Sequence, residues 1–550
     1  MKRETLGKLQ YPLKLPHGEG QEKLPSVVEG KPDKSIKRLL FHEPVPCHKY
    51  VRYIETARPC KNHHPAVPGK TGVPPHGPGP RNHDGDDDDI GQDRCIHAAK
   101  KRPEPEVYPS AGTNYYLVAN LVHLGFKGKI FPVNPKEKEI MGLRAYKSLA
   151  EIDESVDLAV IGVSHALVPG ILRDCVLKGI RRVTVIAGGF SESGEQGKAA
   201  QEEMRQMVKD HGIRVIGPNA LGPINVPASF CISFHPLSAM KRGGLSLIFQ
   251  SGLYEPRFTW LLTDFNLHLN KLIDLGNKMD INEVDALSYL VHDPGTDVIG
   301  IHLEGIAGDG REFLRLIREA RHHNKRIVVL KSGRTRAGAK AAASHTGAMV
   351  QGSDRVFDSA MKQCGALRAG TLEEFFYLSR GLERFGPVSM KGNRVFLATF
   401  PGGEGVITTD LCESEGLSLA DTEQTTIEKL RQVFPPWDIP ANPWDLGLTI
   451  QFHEPNRVYR VMVEAMMNDS NVDALAIQLH PMAFLFPNEL LEVFGSAAAL
   501  RKPIALWLAG MDPGRHEVLQ SLEDRGVVIF PSPEKAIHAL SALHRLSRGD

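Results

Sequence analysis

Ala343-Ser344-His345-Thr346-Gly347 is the segment of this sequence best suited to chemistry. It follows LKSGRTRAGAKAA, read as a strand end and a flexible loop carrying Arg334, Arg336 and Lys340, and it precedes RVFDSAMKQCG, a run with helical spacing. An imidazole flanked by Ser, Thr and Gly in a loop has little core to pack into. Taken alone, such a residue is a surface or helix-capping histidine more often than a catalytic one. A second group of residues forms a row along the chain. The apolar runs end in Asn134-Pro135-Lys136, Gly162-Val163-Ser164, Ala187-Gly188-Gly189, Gly217-Pro218-Asn219 and Gln250-Ser251-Gly252. The row continues with Gly276-Asn277-Lys278, Glu304-Gly305 and Lys331-Ser332-Gly333-Arg334. Small residues, amides and a few cations in such places suit an anionic ligand cradled by backbone N–H groups. For any one loop the plainer reading is better, that Gly, Asn and Ser make a turn. It explains the whole row less well.

The elements that must position these residues follow one rhythm. A helix-like run, NYYLVANLVHLGF, leads to KIFPVNP, then DLAVIGV, RRVTVIAGGF, the charged helix GEQGKAAQEEMRQMVKDHG and IRVIGPNALG. Short apolar strands alternate with helical segments, which is the pattern of parallel βαβ units. The rhythm restarts at LSLIFQSG, with LIDLG, VIGIHLEG and RIVVLKSGRT following, and again at NRVFLATFPGGEG, with ALAIQLHP, PIALWLAG and GVVIFPSP. The expected architecture is α/β: three consecutive doubly wound domains after a disordered leader. The leader is read over 1–107 and the domains over 108–238, 239–388 and 389–550. In open parallel sheets, ligands bind at the carboxyl ends of the strands, where the row of loops lies.

At 550 residues the chain is too long for one hydrophobic core. A formal net charge of +1 gives no general attraction to nucleic acid or an acidic membrane surface, and neither is expected as a partner. The opening MKRETLGKLQYPLK lacks the apolar core of a secretory signal, and no run reaches the roughly 18–20 apolar residues of a membrane helix. Seven scattered cysteines argue against a disulfide framework, so a cytoplasmic protein is expected. The leader is rich in Pro, His, Arg and Gly, with an acidic run at Asp86–Asp89, and follows neither apolar period. Cys47, His48, Cys60, His63 and His64 match no common zinc-finger spacing, and no metal site is expected.

ASHTGAMVQGSDRVFDSAMKQCGALRAGTLEEFF resembles the phosphohistidine segment of the ADP(NDP)-forming acyl-CoA synthetases, relatives of the succinyl-CoA synthetase alpha subunit. KGKIFPVNPK, IGPNALGPIN, the Gln250-Ser251-Gly252 turn, LGNKMDINEVDALSYL and VLKSGRTRAGAKAAASHTG resemble the same family in the same order, as do ANPWDLG and GVVIFPSPEKAIHAL near the end. The likeness runs from about residue 112 to the C-terminus. It implies a CoA-binding Rossmann-like domain followed by two flavodoxin-like, succinyl-CoA-ligase-type domains. It also implies a reaction in which acid, coenzyme A and nucleoside triphosphate give acyl-CoA, nucleoside diphosphate and phosphate, with an acyl phosphate and a phosphohistidine on the way. By motif position His345 is the phosphoryl carrier and Glu304, in VIGIHLEG, the carboxylate that orients and stabilises the ring. Imidazole is a good nucleophile near neutral pH and a phosphoramidate keeps its transfer potential. The likeness assigns phosphate binding to Gln250, Ser251, Gly252, Ser344, Thr346 and Gly347. It assigns CoA binding to Asn134, Pro135, Lys136, Val163, Ser164 and Asn219.

The sequence departs from the family in two ways. Relatives open the CoA domain with a strand and a small-residue loop of the type V-x-G-A-S; here HAAKKRPEPEVYPSAGTNYY stands in that place, so the first strand and its loop are expected to be missing. No ATP-grasp domain is recognisable, so ATP or GTP with Mg2+ is expected on a separate ATP-grasp subunit in a hetero-oligomer. Smaller changes are Ser164-His165 in place of Val-Pro, Ala220 in GPNALG, and a bulkier LYEPRFTWLLTDF after Gly252. The alternative reading is a catalytically impaired, CoA-responsive binding or regulatory subunit of the same fold. Retention of His345 and Glu304 favours the enzyme; loss of the opening loop favours the alternative. A dinucleotide-dependent dehydrogenase fails, because no G-x-G-x-x-G follows a strand near the start of the folded region.

Overall fold

The computed structural model describes residues 50–55, 115–237, 239–346, 353–498, 502–508, 510 and 516–548, with only the backbone described for 50–55, 115, 343–346 and 498. The apolar runs become three mainly parallel sheets. The first contains β1 (Tyr50–Glu55) and β2 (Lys129–Val133), which leads into the small hairpin β3 (Glu139–Ile140) and β4 (Leu143–Arg144). It is completed by β5 (Leu158–Gly162), β6 (Arg182–Val185) and β7 (Arg214–Ile216), in the order β2-β1-β5-β6-β7. The second sheet holds β8 (Ile224–Asn225), β9 (Phe230–Cys231), β10 (Lys241–Phe249), β11 (His268–Asp274), β12 (Val298–Leu303), β13 (Arg326–Lys331) and β14 (Leu367–Ala369). Its order is β14-β13-β12-β10-β11-β8-β9, parallel except for β8 and β9, which pair antiparallel at one edge.

The third sheet comprises β15 (Arg394–Thr399), β16 (Ser418–Leu419), β17 (Trp444–Asp445), β18 (Ala474–Leu479), β19 (Ile504–Leu508) and β20 (Val528–Phe530). The order is β16-β15-β18-β19-β20, with β17 also on β15. Every residue of β5, β12 and β18 is buried, as expected for parallel strands covered by helices on both faces. The covering helices are amphipathic. Gly310–His322 buries Phe313, Leu316, Ile317 and Ala320, the i, i+3, i+4, i+7 stripe of a core-facing helix, and Asp309 caps its start by accepting from Arg311 N.

Two expectations need correction. The opening strand of the first sheet is present: β1 runs parallel between β2 and β5, pairing Val51 with Ile130 on one side and with Leu158 on the other. YVRYIE has strand-forming composition. It is hidden in sequence because residues 56–114 intervene before the helix Tyr115–His123, whereas a βα connection is ordinarily a few residues long. The other residues of the expected disordered leader, Cys47, His48, Cys60, His63 and His64 included, lie outside the described residues. The second correction concerns the flexible loop before His345. Arg336–Thr346 is a helix, and the Thr335 hydroxyl caps it by accepting from Gly338 N at 3.1 Å. Five alanines in RAGAKAAASHT supply the propensity.

The second and third units share one apolar core, in which Phe375, Phe376, Leu382 and Phe385 pack with Trp507, Phe530, Ile537 and Leu540. A buried ion pair sits in this seam. Arg380 Nη1 donates to Glu523 Oε1 at 2.7 Å and to Phe265 O at 3.0 Å, its other terminal nitrogen donates to Ile529 O, and Asn266 Nδ2 donates to Glu523 Oε2 at 2.8 Å. Among the described residues no helix is long and apolar enough to cross a membrane.

Candidate functional site

The carboxyl ends of the first and second sheets face each other across a cavity of about 690 Å³. Gly162, Val163, Ile186, Ala187, Gly188 and Asn219 line it from the first sheet, Gln250, Ser251, Gly252 and Leu253 from the second, and Leu221 and Phe234 lie between. Five of the residues assigned to phosphate or CoA binding therefore meet: Val163, Asn219, Gln250, Ser251 and Gly252. The approach is close because the residues are small. A Cβ on Gly188 would lie 3.0 Å from Asn219 Oδ1, and one on Gly252 would lie 2.6 Å from Leu221 Cδ1. Asn219 itself has a φ of 60°, a left-handed conformation that Asn tolerates better than most residues.

The turn Gly276-Asn277-Lys278 locks the two sheets together. Asn277 N donates to Pro218 O at 2.9 Å, Met279 N to Gly217 O at 3.1 Å and Ile281 N to Val215 O at 3.1 Å. The Asn277 amide donates to Glu192 Oε2 at 2.6 Å, and Glu192 Oε1 accepts from Gly189 N at 2.5 Å and Phe190 N at 3.2 Å. Burial works to raise the Glu192 pKa, but these donors outweigh it and hold the carboxylate below its ordinary range.

Glu304 follows β12 and is 5% exposed. Its segment is held by three buried polar side chains. Gln250 Oε1 accepts from Glu304 N at 2.8 Å, from Gly305 N at 3.2 Å and from Lys278 Nζ at 3.0 Å. Lys278 Nζ also donates to Gly305 O at 2.6 Å and pairs with Glu283 Oε2 at 2.9 Å. Glu283, fully buried, accepts from Ala307 N and Gly308 N at 2.7 and 2.8 Å. Beyond Gly305, Lys331 Nζ reaches Ser332 O at 3.1 Å and lies 5.9 Å above the Phe357 ring. Burial lowers the pKa of both lysines, opposed at Lys278 chiefly by Glu283 and at Lys331 by Asp354. Sequence reasoning listed Lys278 only as a loop residue and missed Glu283. The signal available was a lysine and a glutamate flanking the capping residue Asn282.

Two buried carboxyl groups sit behind the cavity, and both were overlooked. Asp274 accepts from Leu221 N at 3.0 Å and Gly276 N at 3.1 Å, and burial pushes its pKa up to about 7. Glu255 accepts from the Ser233 hydroxyl at 3.2 Å, and burial pushes its pKa up to about 7 as well. Between them Tyr254 donates from its hydroxyl to Leu221 O at 2.7 Å. The bulky stretch after Gly252 thus fills the space behind the turn with a tyrosine and an acid.

Other expected site residues lie apart. Asn134 follows β2 and its side chain accepts from Lys136 N at 2.9 Å, an Asx turn; Pro135 and Lys136 are exposed, and none of the three lines the cavity. Ser164 is exposed at the start of the short turn His165–Leu167, one residue beyond the lining Val163. Ser344, His345 and Thr346 form the last turn of the helix Arg336–Thr346, whose backbone comes within 8 Å, Cα to Cα, of the Ser191–Ser193 turn of the first unit. Their side chains and Gly347 lie outside the described residues.

Comparison with known proteins decides the family. Residues 110–225 match the CoA binding domain family, 242–382 the succinyl-CoA ligase like flavodoxin domain and 395–550 the ligase-CoA domain. The alpha subunit of acetate–CoA ligase [ADP-forming] I from Pyrococcus furiosus is 36% identical over 446 residues, which cover 79% of this chain and 93% of that one. The chain belongs to the ADP-forming acyl-CoA synthetase family.

Within that family, acetate–CoA ligase [ADP-forming] II from Archaeoglobus fulgidus is 32% identical, and the match covers 64% of its length. Among solved structures, acetyl-coenzyme A synthetase 1 of Ca. Korarchaeum cryptofilum, in complex with phosphate and ADP, superposes with a TM-score of 0.72 at 32% identity. That match covers 80% of this chain and 93% of the other. The family is one of acid–thiol ligases, and its three α/β units correspond to the three sheets here. In the third unit the strand ends are bound to each other. Glu404 Oε1 accepts from Trp507 Nε1 at 2.8 Å and Oε2 from Gln478 Nε2 at 2.9 Å, and Gln478 Oε1 accepts from Phe400 N at 2.6 Å.

Proposed function

We propose that this chain is the CoA-binding, alpha-type component of an ADP-forming acyl-CoA synthetase and that His345 carries the phosphoryl group. The observation that supports this best is the cavity between the first two sheets, which gathers Val163, Asn219 and the Gln250-Ser251-Gly252 turn beside the braced Glu304 segment. In the synthetic direction the His345 imidazole takes the γ-phosphoryl group of the nucleotide and releases the diphosphate. The substrate carboxylate then attacks the phosphorus, freeing the imidazole and forming an acyl phosphate. The thiolate of coenzyme A adds to the acyl carbon and phosphate leaves. Glu304 orients the ring and balances its positive charge, and backbone N–H groups at Ser251, Gly252 and Gly347 hold the phosphoryl oxygens. The nucleotide, with Mg2+, belongs to an ATP-grasp partner, as the alpha-subunit relatives suggest.

Coenzyme A suits the first sheet, where Gly188 leaves room that a Cβ would take. The acid is an apolar monocarboxylate. The described lining has no charged side chain to pair with a second carboxylate, and Leu221, Phe234 and Leu253 offer apolar surface.

Incubating the purified chain with an acyl-CoA and radiolabelled phosphate tests this reading. Acid-labile, base-stable protein label should form in the native chain and be absent from His345→Ala, with a loss of overall activity of about 10³-fold or more. Label that persists in His345→Ala, or none in either protein with the ATP-grasp subunit and ATP added, overturns it. Across acids, kcat/KM for a branched or aromatic acid should exceed that for succinate by at least about tenfold.

A further inference from the structure

At the opposite, amino-terminal edge of the second sheet lies a cluster that the ligase reaction does not use. His292 caps the C-terminus of the helix Glu283–Val291, and His323 caps the C-terminus of the neighbouring helix Gly310–His322, which also carries Glu319. The ligand atoms of His292, Glu319 and His323 lie within 4.8 Å of one another, and the two rings are 5.2 Å apart.

The hydrogen bonds fix how these groups face. His292 Nδ1 lies 2.8 Å from Ser288 O, and a carbonyl only accepts, so this nitrogen carries the proton. In a neutral ring Nε2 then presents a lone pair, and it points at Glu319 Oε1 from 3.3 Å. Two lone pairs facing at that distance need a cation between them, a proton or a metal. A ring nitrogen opposite to one bonded to a backbone carbonyl is also the usual arrangement of a metal-binding histidine. Zinc bonds of about 2.0–2.2 Å at tetrahedral angles place adjacent N and O ligands about 3.3–3.5 Å apart, which matches this pair. Arg315 Nη1 holds the other Glu319 oxygen at 2.9 Å, leaving one carboxylate oxygen for a ligand. Asp293 faces elsewhere, paired with Lys271 at 2.8 Å.

We propose that His292, Glu319 and His323 form a site for a zinc-class divalent cation that fastens the ends of two adjacent helices. Two imidazoles and one carboxylate without a thiolate suit Zn2+ or Co2+ rather than Mg2+ or Ca2+. Water completes the coordination. The site lies across the sheet from the cavity, so its effect is on stability.

The test uses the full chain, stripped with a chelator and desalted, alongside His323→Ala and Glu319→Gln. Because the chain has other histidines and its cysteines, the reading is the difference between proteins. The native chain should bind one equivalent of Zn2+ more than either variant in competition with a chromophoric chelator. Co2+ should give it a visible d–d band without sulfur charge transfer, absent from both variants. Zn2+ should raise the native Tm by about 2–4 °C and leave the variants unmoved, while all three melt together in chelator. Equal stoichiometry in the three proteins, a Co2+ band kept by the variants, or a band with sulfur charge transfer overturns the proposal.

Discussion

The seam between the first two sheets and the carboxyl edge of the third sheet use the same device to different ends. In each, a buried glutamine after or within a central strand accepts a backbone N–H from the neighbouring strand's loop: Gln250 from Glu304 and Gly305, Gln478 from Phe400. At the seam the glutamine and its partners Lys278 and Glu283 hold the loop backbone from behind, and Gly162, Ala187, Gly188, Ser251 and Gly252 are among the residues that face the cavity. At the third edge the carboxylate of Glu404 is bound by Trp507 and Gln478, Phe400 lies 4.4 Å from His480 ring to ring, and Asp445 crowds Gly402. One edge is arranged to leave room; the other is knitted by its own side chains. The fold alone does not decide which strand ends stay open. The placing of a few buried polar groups does.

Lys278→Met should separate the two edges most clearly. It leaves the fully buried Glu283 with two backbone donors and no cation, a loss of about 3–5 kcal/mol by chemical denaturation. Activity should fall with it, because the Glu304 segment loses its brace. Glu404→Gln removes one acceptor at the third edge and should cost about 1–2 kcal/mol. If it abolishes activity as fully as Lys278→Met does, the contrast is wrong.

A smaller difference is expected between two glycines. In Gly276→Ala the new Cβ would lie 2.2 Å from Pro218 O, at a φ of 53°, so backbone strain alone costs about 1–3 kcal/mol and the seam must shift. In Gly402→Ala the Cβ meets the end of the Asp445 side chain at 2.3 Å, which can rotate away at the expense of its cap on Gly447 N, about 1 kcal/mol. Comparable Tm losses in the two variants would remove the distinction between a rigid seam and an adjustable edge.

The subtlest effect is on pH. Asp274 has a folded pKa of about 7 against an ordinary value of 3.8, so between those values the folded state binds more protons than the unfolded. Stability contributed by this group is therefore present at low pH and lost as pH rises from about 4 through 7. Glu255 acts in the same direction from 4.5 to about 7. Asp274→Asn imitates the protonated acid, so the variant should gain Tm relative to the native chain at pH 8 and little at pH 5. A native chain whose Tm rises across that range as steeply as the variant's would contradict the assignment.

Much of this arrangement was legible in sequence, for a physical reason. Parallel strands buried on both faces must be continuous apolar runs, so β5, β12 and β18 announced themselves, and the residues after them mark where ligands can reach backbone N–H groups. Val163, Asn219 and Gln250-Ser251-Gly252 were found that way. Asn134-Pro135-Lys136 looked the same but ends an outer strand and spends its amide on its own turn, a difference that only strand order reveals. Asp274, Glu255 and Glu283 escaped notice because a buried acid reads like a surface one until its neighbours in space are known. Arg336–Thr346 was mistaken for a loop because glycine and cations in its first turn drew more attention than its alanines.

The Arg380–Glu523 pair places a limit on how this gene can be cut. A break between Gly386 and Asn393, the obvious place to divide two similar units, would part the Arg380 guanidinium from Glu523 and Ile529 while leaving it Phe265 O, and would strip Phe376, Leu382 and Phe385 of their cover. Rearrangements that shuffle the second unit without the third therefore start from a sticky, half-finished protein.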